Sequence, residues 1–141
     1  MTLCAKTEYA CLALLELAAH FERQEPMRVR DICERHGIPN QFLVQILLQL
    51  KSAGLVTSIR GACGGYLLVK DPADISLCEV KNVIEGPTEI SLNAGKPSAA
   101  GRALAQAWRK ADAAQQAGLE SMTIAELADQ ARGHVEPMYY I

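Results

Sequence analysis

The sequence predicts a mainly α-helical chain with one small β-hairpin, and three observations predict it. Half of the 141 residues are hydrophobic and only 5% are aromatic, a balance that suits packed helices better than a disordered or all-β chain. Through most of the first 52 positions apolar residues recur at three- and four-residue spacing, the signature of amphipathic helices. Two short β-prone runs then flank the glycine-rich stretch RGACGG, which reads as a hairpin. A helix, a helix-turn-helix pair and a hairpin directly after it compose a winged helix-turn-helix, extended here by a long C-terminal helix. The chain is long enough for one such module with an extension, and for a sizeable core.

The elements follow in order. Residues 6–21 place Ala10, Ala13, Leu14, Leu17, Ala18 and Phe21 on one helical face, and the polar ERQEP ends that helix. A second helix at 29–36 has Val29, Ile32, Cys33 and His36 on one face, with Gly37 as its left-handed stop. The third runs over 40–52, buries Leu43, Ile46, Leu47 and Leu50, and ends at Gly54. The tight turn at Gly37 and Ile38 makes these two the helix-turn-helix. Runs 55–59 and 66–70 form the wing, with RGACGG at its tip. Asp71 and Pro72 break the second run, and Ser76 with Glu79 three residues on is a capping box for a fourth helix to Ile84, stopped by Gly86 and Pro87. Residues 88–97 are polar and aperiodic. An alanine-rich helix over 98–118 carries the narrow stripe Leu104, Ala107, Trp108, Ala111, Ala114 and Gln115, with little of its own chain left to cover it. A second copy is the natural cover. Thr123 and Glu126 cap a last short helix to Ala131, and the chain closes with EPMYYI. The expected division is 1–87, a winged helix-turn-helix domain, and 88–141, a dimerisation helix and tail.

Charge and cysteine usage exclude several classes. The net charge is −2, but residues 1–70 hold 8 Lys and Arg against 6 Asp and Glu, and residues 71–141 hold 6 against 10. A polyanionic partner would meet the first half. The longest apolar stretches, such as YACLALL, fall far short of the roughly 20 residues of a membrane span, and the N-terminus lacks the order of a secretory leader. A cytoplasmic protein with no membrane partner is expected. Five cysteines, an odd count without a CxxC pair, argue against a disulfide framework or a zinc ribbon. Cys4 and Cys11 on one helical face, and Cys33 and Cys78 among apolar neighbours, read as buried thiols. A nucleotide phosphate loop needs a following helix and a lysine and hydroxyl pair, whereas RGACGG is followed by a strand. Cys63 has no base close in sequence, the histidines being His20, His36 and His134. No enzyme is expected.

The stretches KTEYACLALLELA, FLVQILLQLKSAGLV and SIRGACGGYLLVKDPADISLCEV, with the IEGP that follows, resemble the Rrf2 family of bacterial winged-helix transcription regulators across residues 1–87. The resemblance implies a homodimer on double-stranded DNA, its long C-terminal helices paired through Leu104, Trp108 and Ala111, each subunit placing a recognition helix in a major groove and a wing arginine in the adjacent minor groove. Arg60 is the wing cation suited to a narrow A·T minor groove, where the negative potential is strongest. Asn40, Gln41, Val44 and Gln45 lie near the start of the recognition helix, where side chains reach base edges, and glutamine can pair in two places with adenine. Arg28, Arg30 and Lys51 flank the motif and suit phosphate contacts. For each of these the bland reading is a solvated surface side chain. Two departures stand out. Val44 occupies a position where many relatives carry glutamate, so a different base is read there, through a thymine methyl. Pro39 replaces a small polar cap, and its missing N–H falls in the first turn, where none is needed.

Family members with an iron-sulfur cluster hold it by closely spaced cysteines between the fourth helix and the dimer helix. Residues 85–108 contain none. A cluster needs thiolate or comparable ligands within reach of one another, so no cofactor is expected; Glu8 has no visible set of partner ligands and reads as a surface or DNA-proximal charge. Two routes for a signal remain. Cys63, beside Arg60 on the wing, is a redox candidate whose oxidation or alkylation would change charge or bulk at the tip, unless it is an ordinary exposed thiol. The tail ending in Tyr139, Tyr140 and Ile141 suits capture in a partner's pocket, unless it packs on the dimer helices. It is similar to the endings of the clusterless cysteine-metabolism repressors of the family, and to the isoleucine-terminated tails that occupy the active site of cysteine synthase. The expected function is a DNA-binding repressor on a pseudo-palindromic operator. The alternative is a protein-interaction module acting through its tail on a metabolic enzyme.

Overall fold

The computed structural model describes residues 3–87, 89–93 and 95–135. Along the chain come α1 (Ala5–Ala18), α2 (Val29–His36), α3 (Asn40–Ser52), β1 (Val56–Ile59), β2 (Gly65–Leu68), a 3₁₀ turn (Pro72–Asp74), α4 (Leu77–Glu85), α5 (Ala99–Glu120) and α6 (Ile124–Val135). This is the winged helix-turn-helix with a long C-terminal helix that the periodicity predicts.

Helix α1 is the hub, in contact with α2, α3, α4, α6 and β2. Its buried face is Thr7, Ala10, Ala13, Leu14 and Leu17; the two alanines let neighbouring elements approach while the leucines fill the space between them. Leu43, Ile46, Leu47 and Leu50 of α3, with Ile32, Leu55, Leu68, Ile75 and Val80, complete one core. Thr7 is buried, and its hydroxyl donates to Glu85 Oε2 at 2.6 Å, tying the start of α1 to the end of α4. Nearer the other end of α1, the Glu16 carboxylate accepts from Arg35 Nη1 at 3.1 Å and lies 2.8 Å from His36 Nε2, which fixes the last turn of α2.

The helix-turn-helix closes as the sequence predicts. Gly37 adopts φ 65°, Ile38 is buried behind it, and its N–H donates to the Cys33 carbonyl at 3.1 Å. Pro39 caps α3 without a side-chain bond. The hairpin is antiparallel, in the register Val56 with Leu68, Thr57 with Leu67, Ser58 with Tyr66 and Ile59 with Gly65. A second backbone pairing seats it: Met27 N–H donates to the Tyr66 carbonyl at 2.9 Å and Tyr66 N–H to the Met27 carbonyl at 2.8 Å. So the wing's returning strand is clamped to the segment entering α2.

Several details differ from expectation. The Ser76 hydroxyl does accept from Glu79 N–H at 3.1 Å, but the Glu79 carboxylate is held by Lys70 Nζ at 2.8 Å. An ion pair takes the group that a full capping box would return to the backbone. Pro72 continues into a 3₁₀ turn capped by Asp71, whose side chain accepts from Ala73 N–H. Cys4, expected in the core, is exposed, because it precedes the first turn of α1. Helix α6 runs past Ala131 and folds back onto α1. Ile124 is fully buried, and the chain around it pairs with Ile75 and Leu77 through Ile124 N–H to the Ile75 carbonyl and Leu77 N–H to the Met122 carbonyl, both at 2.9 Å. In space, then, α6 closes on the body formed by residues 3–87. Helix α5 meets that body at α4, and Ala105 is its one buried residue among the described ones.

Gly65 stands at φ 149°, and a Cβ there would lie 2.5 Å from the Met27 carbonyl oxygen. Gly65→Ala should therefore cost at least about 2 kcal/mol in urea unfolding, combining backbone strain with overpacking against main chain. Gly118, in α5, has nothing within 4 Å of its Cβ position. Gly118→Ala should be neutral or stabilising by up to about 1 kcal/mol, and equal losses in the two variants would refute the seating of the wing by Gly65.

Candidate nucleic-acid interface

The second helix of the motif, α3, buries one side and leaves the other in solvent. Gln41, Val44, Gln45 and Leu48 form an exposed stripe at three- and four-residue spacing, with Val44 39% and Leu48 52% exposed. Asn40 opens the helix and is also exposed. Phe42, 40% exposed, and Leu48 are surface residues that the apolar pattern alone does not single out. A signal for Leu48 exists, since it falls seven residues after Gln41 and off the stripe of buried leucines.

The wing projects from the end of α3 through Leu55, and its tip is built on glycine. Gly61 takes φ 108°, and a Cβ on Gly64 would lie 2.3 Å from the Ile59 carbonyl oxygen. Gly64 N–H donates to the Gly61 carbonyl at 3.0 Å, closing the turn. Arg60 at the end of β1 is exposed and makes no ion pair among the described residues. Cys63 is exposed two residues beyond that turn's first glycine.

The three expected phosphate residues have different surroundings. Arg30 is exposed on the first turn of α2. Lys51 Nζ donates to Ser58 Oγ at 2.8 Å, joining the last turn of α3 to β1. Arg28, at the N-cap of α2, reaches across to the wing and donates from Nη2 to the Ala62 carbonyl. It thus spans the helix-turn-helix and the tip of the hairpin. A guanidinium has five N–H donors, so this bond leaves others for a ligand.

The remaining candidates lie away from that face. Leu104, Trp108 and Ala111 are exposed on α5, Leu104 at 52% and Trp108 at 57%. Tyr139, Tyr140 and Ile141 lie outside the described residues. Burial pushes the Cys11 thiol up to about 11 and raises Cys33 also, so neither is a ready thiolate. No described helix is long and apolar enough to cross a membrane.

Comparison with known proteins gives the arrangement a context. The Rrf2 family signature, described as an iron-dependent transcriptional regulator, matches residues 3–130. An Rrf2-like HTH-type transcriptional regulator of Rhodobacter capsulatus is 48% identical over 84 residues, spanning 58% of this chain and 56% of that relative. The HTH-type transcriptional regulator IscR of Serratia proteamaculans is 35% identical over 132 residues, 92% of this chain and 80% of its own. Among solved structures, CymR, the global cysteine regulator of B. subtilis, superposes with a TM-score of 0.78 at 30% identity, covering 92% of this chain and 98% of its own. All three are named as regulators and none as an enzyme, in keeping with the loop chemistry.

Residues 85–108 hold no cysteine. Among the described residues no three His, Cys, Asp or Glu side chains converge to hold a metal ion. With its fold, its helix-turn-helix and its wing matched over nearly the whole length, the chain belongs to the Rrf2 family of helix-turn-helix transcriptional regulators.

Proposed function

We propose that this regulator acts as a clusterless homodimer that represses transcription from a pseudo-palindromic operator. The observation that carries the reading is the pairing of an exposed α3 stripe with a wing locked in place by Met27, Gly65 and Arg28. Two surfaces that read adjacent grooves need a fixed mutual orientation, and these contacts supply it.

In this reading Gln41 and Gln45 pair with base edges, Asn40 borders them, and Val44 with Leu48 packs on thymine methyl groups. The exposed apolar pair supports this, because water gives it no compensation and a methyl-lined groove does. Arg60 enters the minor groove of an A·T-rich step. Arg30 and Lys51 contact phosphates, while Arg28 chiefly holds the wing tip. The second copy covers Leu104, Trp108 and Ala111, and protein two-fold symmetry then imposes operator symmetry. Nothing in the described residues favours action through the tail on a metabolic enzyme.

Selection of bound genomic fragments by the reduced dimer should enrich one palindromic site. Arg60→Ala should weaken that site about ten- to hundredfold. Arg28→Ala should lower affinity while the salt slope holds; a slope smaller by about one per subunit would place Arg28 on a phosphate instead. No enrichment by the wild-type dimer would overturn the operator reading.

Anaerobically purified protein should be colourless, and stoichiometric iron with visible sulfur-to-iron absorption would overturn the clusterless reading. Iodoacetamide at pH 8 should modify Cys63 well before Cys11 and weaken operator binding. Cys63→Ser should bind normally and resist the reagent, and a loss that persists in this variant would move the effect to another thiol.

A further inference from the structure

A groove of about 680 Å³ lies between the linker after α4 and the first half of α5. Its volume falls in the range of small-molecule sites. Lys96 of the linker and Arg102 and Arg109 of α5 line it, and among the described residues no carboxylate does. Arg102, Ala105 and Arg109 follow one another at three- and four-residue spacing, so both guanidinium stems border the same stripe of α5. Ala105 is its floor, the one buried residue of that helix among those described, and Leu92 faces it from the linker. None of the three cations makes an ion pair among the described residues. The charge resides on side chains from two segments, one of them ten residues inside α5, and not on the helix end.

Three like charges around one groove, in a chain whose net charge is −2 and without ion-pair partners among the described residues, focus a positive potential there. We propose that this groove binds a small organic anion, a carboxylate or phosphate with an apolar body, as the regulator's ligand. The anionic head sits among Lys96, Arg102 and Arg109, and the body lies on Ala105 and Leu92. Guanidinium groups suit both heads, since they bond carboxylate and phosphate oxygens two at a time. Such a ligand bridges the linker from the DNA-binding body to α5, the helix that presents Leu104 and Trp108. The proposal deepens the regulator reading by giving it a signal site.

The test is calorimetric titration of the full-length protein, without DNA, using phenyl phosphate and phenylacetate, with inorganic phosphate and benzyl alcohol as controls. One of the two aromatic anions should bind saturably, at least tenfold more tightly than inorganic phosphate, while benzyl alcohol should give no saturable heat. The tighter of the two identifies the head group. The Arg102→Gln/Arg109→Gln double variant should lose at least tenfold in affinity, and Arg23→Gln, remote from the groove, should lose none. Arg60→Ala should bind the probe as wild type does, so failure of DNA recognition and failure of this site are read separately. Absence of saturable binding, or equal binding by the double variant, would overturn the proposal. So would dissociation of the dimer on making the double variant, which would assign the cations to acids of the second copy. A smaller salt slope for operator binding by the double variant would assign them to DNA phosphates and overturn it equally.

Discussion

The placement of the wing depends on one close approach, where the backbone of Gly65 passes the Met27 carbonyl too tightly for any Cβ and the two flanking amide bonds pair Tyr66 with Met27. From this contact the rest of the reading face follows. Met27 is the residue before the cap of α2, so the strand that returns from the wing tip is fastened to the start of the helix-turn-helix. Arg28, the next residue, adds a side-chain tie to Ala62 at the tip. Lys51 adds another between α3 and β1. A hairpin of four residues a strand is marginal by itself in water; here it borrows order from a helix pair whose own geometry is set by the core.

That geometry rests in turn on α1. Its alanines permit close packing on several sides, and two polar contacts at its ends fix what hydrophobic packing leaves free to slide. Thr7 holds Glu85 at the end of α4, and Glu16 holds Arg35 and His36 at the end of α2. Burial is non-directional, whereas a carboxylate with two partners specifies an angle. The exposed stripe of α3 is aimed by its buried stripe, because Leu43, Ile46, Leu47 and Leu50 allow one rotation of the helix on the core.

The helices of the motif are legible in the sequence because their signals are local. Apolar spacing, Gly37 and the glycines of the wing each act within a few residues, and the bounds of α2 and α3 come out as the pattern predicts. What escapes depends on groups far apart in the chain. Nothing near Arg28 tells that its partner is a carbonyl 34 residues on. Nothing near Glu79 tells that Lys70 will take its carboxylate, or near Ile124 that it will enter a core made by residues before 87. Leu48 is a different case: only the rotation of the helix separates Leu47, buried, from Leu48, exposed, and the spacing of the buried stripe is the sequence signal for that rotation.

The linker and the start of α5 bear most directly on what the regulator senses. A cluster site gathers soft, negatively charged sulfur donors around metal cations. The corresponding stretch of this chain gathers Lys96, Arg102 and Arg109, positive and without donor sulfur, around an apolar floor. The two chemistries are opposite in sign. Cations of an ordinary surface would be expected to find carboxylates, since Asp and Glu outnumber Lys and Arg in residues 71–141. These three find none among the described residues, while Asp112 and Glu120 on the same helix are engaged by Gln116 and Cys78. An anion from outside the chain is the partner that such a groove lacks.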